Sequence, residues 1–172
     1  ERGIFEYLLD RWEWDGGTML VSAPGVEVGA GAERFDRQAC DPVSAVGPLR
    51  GILTALENFS DELVIVATVD MPGISRGQLE WIAGEMRGRA GVLGMMMSRE
   101  TAEGKQVEPF PSVYRREAIP TIQGQLAQGR RSVHGLLNCQ GFMSIEAPAD
   151  WAAGTWANLN TPGDLRNFCE NL

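Results

Sequence analysis

The chain has 172 residues, 44% of them hydrophobic and 22% charged, with a formal net charge of -8. That length suits one domain with a real core, and the acidic balance argues against nucleic-acid binding through a broad basic surface. No apolar run approaches the roughly 18 residues of a membrane span, the opening ERGIFEYLLDRW lacks the marks of a secretory leader, and Cys40, Cys139 and Cys169 form no CxxC pair, so a cytoplasmic protein without a disulfide framework is expected.

Ile4, Phe5, Leu8, Leu9 and Trp12 recur at helical spacing and predict a helix over 3–13. Gly16-Gly17 ends it, 18–23 follows as a short strand, and the glycine-rich stretch 24–38 reads as loop with a short helix. Gly47-Pro48 opens a second helix whose apolar positions are Leu49, Ile52, Leu53, Leu56 and Phe59. Residues 63–69, LVIVATV, then make an apolar run long enough for a strand buried on both faces. Ser75 starts a third helix, with Gln78 placed for a reciprocal capping box.

Residues 90–97 form a further strand, 98–106 a polar insertion, and 110–114 an extended segment. A helix centred on Ile119, Ile122 and Leu126 follows, entered through a distorted turn near Pro120. Ser132 caps a short segment to Leu137, and 142–145 is a strand. Thr161-Pro162-Gly163-Asp164 has the form of a helix start. Strands alternating with helices predict an α/β sandwich, in one domain over 1–172.

Asp70 ends the long apolar run, and Pro72 biases Met71 toward extended backbone. A carboxylate at the carboxyl end of a buried parallel strand is where open α/β sheets hold ligands. Its oxygens suit Mg2+, which binds through few protein ligands plus substrate phosphates; a turn or capping aspartate is the competing reading. Gly47, Pro48 and Leu49 lead a helix N-terminus whose N–H groups suit a base or phosphate, or serve only as a rigid junction. Asp41 suits a base or sugar hydroxyl, or is an exposed loop acid.

Asn158 and Asn160 point to one side of an extended segment, for phosphate and ion-bound water or for capping. Arg130 and Arg131 suit an anionic substrate or a solvated helix end. His134, the only histidine, has no cysteine near it in sequence and reads as structural or surface. Lys105 is the only lysine, so a phosphate site built on a lysine has one candidate.

The stretches DPVSAVGPLRG, VIVATVDMP, EPFPSVYRREAIPTI followed by GRRSV, and NLNTPGDL lie in order between residues 41 and 165. Together they resemble the MobA-like nucleotidyltransferases, closest to the molybdenum cofactor guanylyltransferases. The resemblance implies a three-layer α/β/α sandwich around a doubly wound, mostly parallel sheet, and transfer of GMP from GTP to molybdopterin with Mg2+ and release of pyrophosphate. It implies metal binding by Asp70, nucleotide contact by Asp41 and the Gly47-Pro48-Leu49 loop, phosphate and pterin contact by Asn158 and Asn160, and pterin contact by Arg130 and Arg131. It also implies transient contact with molybdenum cofactor biosynthesis proteins or molybdoenzyme chaperones. A related cytidylyl or sugar-phosphate transferase, or a noncatalytic nucleotide-binding adaptor, is the alternative.

The family's opening strand and phosphate loop, L-A-G-G-x-S-x-R-M-G, have no counterpart in these residues. Either that segment lies upstream of Glu1, or the gene product is truncated, or the relative has lost transfer. The strand would be central, and its loss would leave backbone groups of both neighbours unpaired, which weighs against the last.

Overall fold

The computed structural model describes residues 3–42, 47–161, 163–164 and 168. Helix α1 spans Ile4–Trp12, and the Gly3 N–H at its start donates to the Glu6 carboxylate at 2.9 Å. Strands β1, Met19–Ser22, and β2, Arg37–Cys40, pair in parallel from Met19 opposite Arg37 to Ser22 opposite Cys40. Strand β2 begins inside the stretch 24–38 expected to be loop and runs two residues beyond it. Helix α2 spans Pro48–Asn58 and buries Leu49, Ile52, Leu53 and Leu56 along one face, as the spacing predicts.

Strand β3 is Leu63–Val66, and α3 is Arg76–Arg87. The capping box at the start of α3 forms as predicted, with the Ser75 N–H donating to Gln78 Oε1 at 2.9 Å. Strands β4, Gly94–Thr101, and β5, Gly104–Arg115, make a long hairpin, so the polar insertion is the hairpin's exposed end. A 3-10 turn, Arg116–Ala118, leads into α4, Ile119–Ala127. A second, His134–Asn138, precedes β6, Phe142–Glu146.

The larger sheet has the order β3-β5-β4-β6. Strand β5 runs antiparallel to both β3 and β4, while β4 and β6 are parallel. Strands β3, β4 and β6 thus share one direction, as expected of a mostly parallel sheet, and the reversed β5 makes the sheet mixed. Strand alternation divides the core between two faces. Met96 and Tyr114 join α2, α4 and the 133–136 segment on one face. Met95, Met97 and Val113 join Ile82 and Met86 of α3 on the other. That is the three-layer arrangement expected, with helices covering both sides of the sheet.

Strand β3 is an edge of the four-stranded sheet among the described residues, not its innermost member. It also stops at Val66, and Ala67, Thr68 and Val69 intervene before Asp70. Asp70 therefore stands in a turn beyond the strand. The two sheets are not hydrogen-bonded to each other, but α2 packs across β1, β2 and β3 and ties them together.

Candidate functional site

A cleft of about 820 Å³ runs between β1 and β3. Its walls are the two strands, Ile52 and Ala55 of α2, and Leu8 and Trp12 of α1. Asp41, Gly47 and Pro48 share the lining with Ser22, Thr68 and Val69. Ser22 ends β1, Asp41 follows β2, Thr68 and Val69 follow β3, and Gly47 and Pro48 lead into α2, so these residues share the carboxyl end of the cleft, while Thr18, Asp61 and Glu62 line its other end. Clefts beyond strand carboxyl ends are the usual ligand position in open α/β sheets.

Asp41 is fixed at this position by two contacts. Its N–H donates to the Ser22 carbonyl at 2.9 Å, and its Oδ1 accepts from Thr54 Oγ1 at 2.6 Å. Gly47 precedes α2 with φ 83°, a left-handed conformation that favours glycine. A Cβ there would come within 3.8 Å of Arg131 Cβ, so the loop and the basic pair adjoin. Leu49, in contrast, is 0% exposed in the core. Its side chain belongs to the inner face of α2, as its spacing predicts, which leaves the backbone for any ligand.

The second group of residues surrounds Asp70. The Asn158 amide, oriented with its nitrogen toward the acid, donates to Asp70 Oδ2 at 2.9 Å and to the Asp70 carbonyl at 3.2 Å. The Leu159 N–H donates to the same carbonyl at 2.7 Å. The other carboxylate oxygen, Oδ1, is buried and makes no hydrogen bond. Asn160 does not join this contact; its N–H donates to Asp164 Oδ2 at 3.0 Å, and the residue is exposed.

Asp164 also accepts from the Thr161 hydroxyl at 2.9 Å and the Thr161 N–H at 2.7 Å. The Thr161 hydroxyl bond first, then the N–H groups of Thr161 and Asn160, hold the Asp164 carboxyl below its ordinary value. This is the predicted capping pair, although Pro162 and part of the expected helix lie outside the described residues. Arg130 is exposed and reaches Gln125 Oε1 at 3.4 Å. His134 Nε2 donates to the Val107 carbonyl at 3.0 Å, a structural contact as expected. Lys105 lies at the exposed hairpin end and is not a cleft-lining residue.

Among the described residues, no group of three or more His, Cys, Asp or Glu could hold a metal ion. Mg2+ needs no such cage, because substrate phosphates and water complete its shell. A buried, unpartnered carboxylate oxygen on a turn held by its neighbours fits that requirement. Sequence reasoning missed the groups that hold this turn. Arg11 and Trp12 meet it at the Gly73 and Ile74 carbonyls across more than sixty positions in the chain, and local spacing carries no signal for such contacts.

The chain matches the MobA-like NTP transferase domain family over residues 2–140. It is 27% identical over 136 residues to the "Probable molybdenum cofactor guanylyltransferase" of Peptoclostridium acidaminophilum, covering 76% of this chain and 61% of that protein. The chain spans 61% of the length of the curated relatives it matches. Among solved structures, molybdopterin-guanine dinucleotide biosynthesis protein A from Archaeoglobus fulgidus superposes with a TM-score of 0.71 at 22% identity, covering 99% of this chain and 87% of that one. The 4-diphosphocytidyl-2C-methyl-D-erythritol synthase of Anaerococcus prevotii gives 0.73 at 11% identity, covering 96% and 84%. The mixed sheet, its flanking helices and the match across most of the sequence make this chain a member of the MobA-like NTP transferase family.

Proposed function

We propose that this chain transfers GMP from GTP to a phosphate of molybdopterin, in the cytoplasm and with Mg2+. The observation that carries the reading is the Asp70 carboxylate, with one oxygen bound by Asn158 and the other buried without a partner. In this reading an acceptor phosphate oxygen bonds to the α-phosphorus of GTP as the bond to the β-phosphate oxygen breaks, and pyrophosphate leaves. The attacking oxygen is already anionic, so the protein's task is alignment and charge compensation. Bound Mg2+ supplies Lewis-acid neutralisation of the phosphates.

Asp70 Oδ1 would hold that ion, while Asn158 keeps the carboxylate from rotating. Asp41, Gly47 and Pro48 line the nucleotide side of the cleft, with the backbone at Leu49 next to them. Asn160 serves phosphate or ion-bound water. Arg130 and Arg131 meet the anionic pterin.

A transfer assay with the full chain, molybdopterin and GTP, CTP, ATP or UTP tests the proposal by pyrophosphate release. GTP-selective, Mg2+-dependent release supports it. Selective use of CTP would retain nucleotidyl transfer and remove the guanylyl assignment. Absence of Mg2+-dependent release with all four would refute it.

A further inference from the structure

The turn carrying Asp70 is gripped from a second side, by α1. Arg11 Nη2 donates to the Gly73 carbonyl at 3.0 Å, and Arg11 Nε donates to the Ile74 carbonyl at 3.0 Å. The Trp12 indole N–H donates to the same Ile74 carbonyl at 3.1 Å. Met71, Pro72, Gly73 and Ile74 are all buried. Their carbonyls lie outside any helix or strand, so each needs a donor or carries a desolvation cost. The guanidinium fork matches two successive carbonyls, which a lysine ammonium on a flexible stem cannot do with the same fixity.

The opposite side of the turn is held by the 154–159 segment. Leu159 and Asn158 bind Asp70, and Gln78 Nε2 donates to Thr155 Oγ1 at 2.8 Å. Backbone meets backbone at Gly73, where a Cβ would lie 2.7 Å from the Gly154 carbonyl carbon. Asp70 is thus fixed through its carbonyl, one carboxylate oxygen and the four residues that follow it. Oδ1 is the one oxygen of the residue left without a bond among the described residues.

We propose that Arg11 is a positioning residue for the Asp70 carboxylate, fixing the direction in which Oδ1 is offered to a divalent cation. This rests on the reading of Asp70 given above. Arg11 acts through the Gly73 and Ile74 carbonyls and touches neither cation nor nucleotide. Outer groups that orient a metal ligand typically account for about ten- to a hundredfold in metal affinity.

The test uses the full chain with GTP and Mn2+ as the probe ion, bound Mn2+ being read by electron paramagnetic resonance. Arg11→Ala, Arg11→Lys and Asp70→Asn are compared with the unsubstituted chain. Arg11→Ala is expected to weaken Mn2+ binding about ten- to a hundredfold, with metal-free GTP affinity unchanged, and Arg11→Lys to restore part of the loss. Unchanged Mn2+ binding in Arg11→Ala, with Asp70→Asn impaired, would overturn the role of Arg11 alone. Unchanged binding in Asp70→Asn would overturn the cation site itself, and with it both readings. If circular dichroism shows that Arg11→Ala does not fold, Arg11→Lys decides the question, because it keeps the charge and stem and removes the fork: weakened Mn2+ binding supports the role and unchanged binding overturns it.

Discussion

Gly73 and Gly154 meet backbone to backbone, so closely that a Cβ on Gly73 would overlap the Gly154 carbonyl oxygen and stand 3.1 Å from Thr155 Cα. Neither partner is a flexible side-chain end that could move aside. Gly73→Ala should therefore destabilise the fold by about 3 kcal/mol, the upper part of the range for overpacking. Urea denaturation measures this, and a midpoint equal to that of the unsubstituted chain would show that the two segments separate freely.

Asp70→Asn keeps the shape of the side chain and leaves an oxygen that can still accept from Asn158. The substitution removes the anionic oxygen offered to a cation. Transfer should fall about a hundred- to a thousandfold, the scale of losing one electrostatic contact to the transition state, while the thermal midpoint stays where it was. Steady-state kinetics over a Mg2+ series, beside a thermal melt, would separate the two effects. Undiminished transfer would remove Asp70 from the site.

Two exposed carboxylates should titrate below the ordinary aspartate range. Thr18 donates to Asp36 Oδ2 through its N–H and its hydroxyl, both at 2.8 Å. The N–H bond is the larger cause and the hydroxyl bond the next in lowering the Asp36 value. Asp164 is lowered chiefly by the Thr161 hydroxyl. A depressed folded value means that each contribution is present above the unfolded aspartate value of about 3.9. It is lost as pH falls through the lower folded value. Carbon-detected NMR titration of the two carboxyls should give midpoints below those of a model peptide, and midpoints at or above the peptide's would contradict the geometry.

Tyr114 is 0% exposed, and its hydroxyl makes no hydrogen bond of good geometry. Burial pushes the phenol up, with the neighbouring Ser112 hydroxyl opposing only in part. A buried polar group without a partner costs free energy. Tyr114→Phe should leave stability unchanged or raise it by about 1 kcal/mol, as read from chemical denaturation. A clear loss would mean that the hydroxyl is satisfied in solution.

The helices were legible because burial imposes a period on them. Leu49, Ile52, Leu53 and Leu56 give away the inner face of α2, and Ser75 with Gln78 gives away the start of α3. Strand β2 was not legible. Arg37, Gln38 and Cys40 are exposed, and the segment is held by backbone pairing to β1 rather than by an apolar alternation. The direction of β5 was hidden for a related reason: Val113 and Tyr114 show that the segment is buried, but a buried strand reads alike whether its neighbour runs with it or against it.

At the site, the type and order of polar residues were readable, and their partners were not. Asp70 was marked by the apolar run before it and by Pro72, although the strand itself stops at Val66. The contact of Asn158 with Asp70 joins segments on opposite sides of the hairpin. Arg11 is not among the apolar positions that predict α1, and only the packing of α1 onto the 73–74 carbonyls gives it a use.

Trp12 lines the cleft and donates its indole N–H to Ile74. One rigid ring thus connects the apolar chamber to the peptide units just beyond Asp70. Arg11 and Trp12 therefore tie α1 to the segment that follows Asp70, and any displacement of α1 would have to carry along or break three hydrogen bonds to the Gly73 and Ile74 carbonyls.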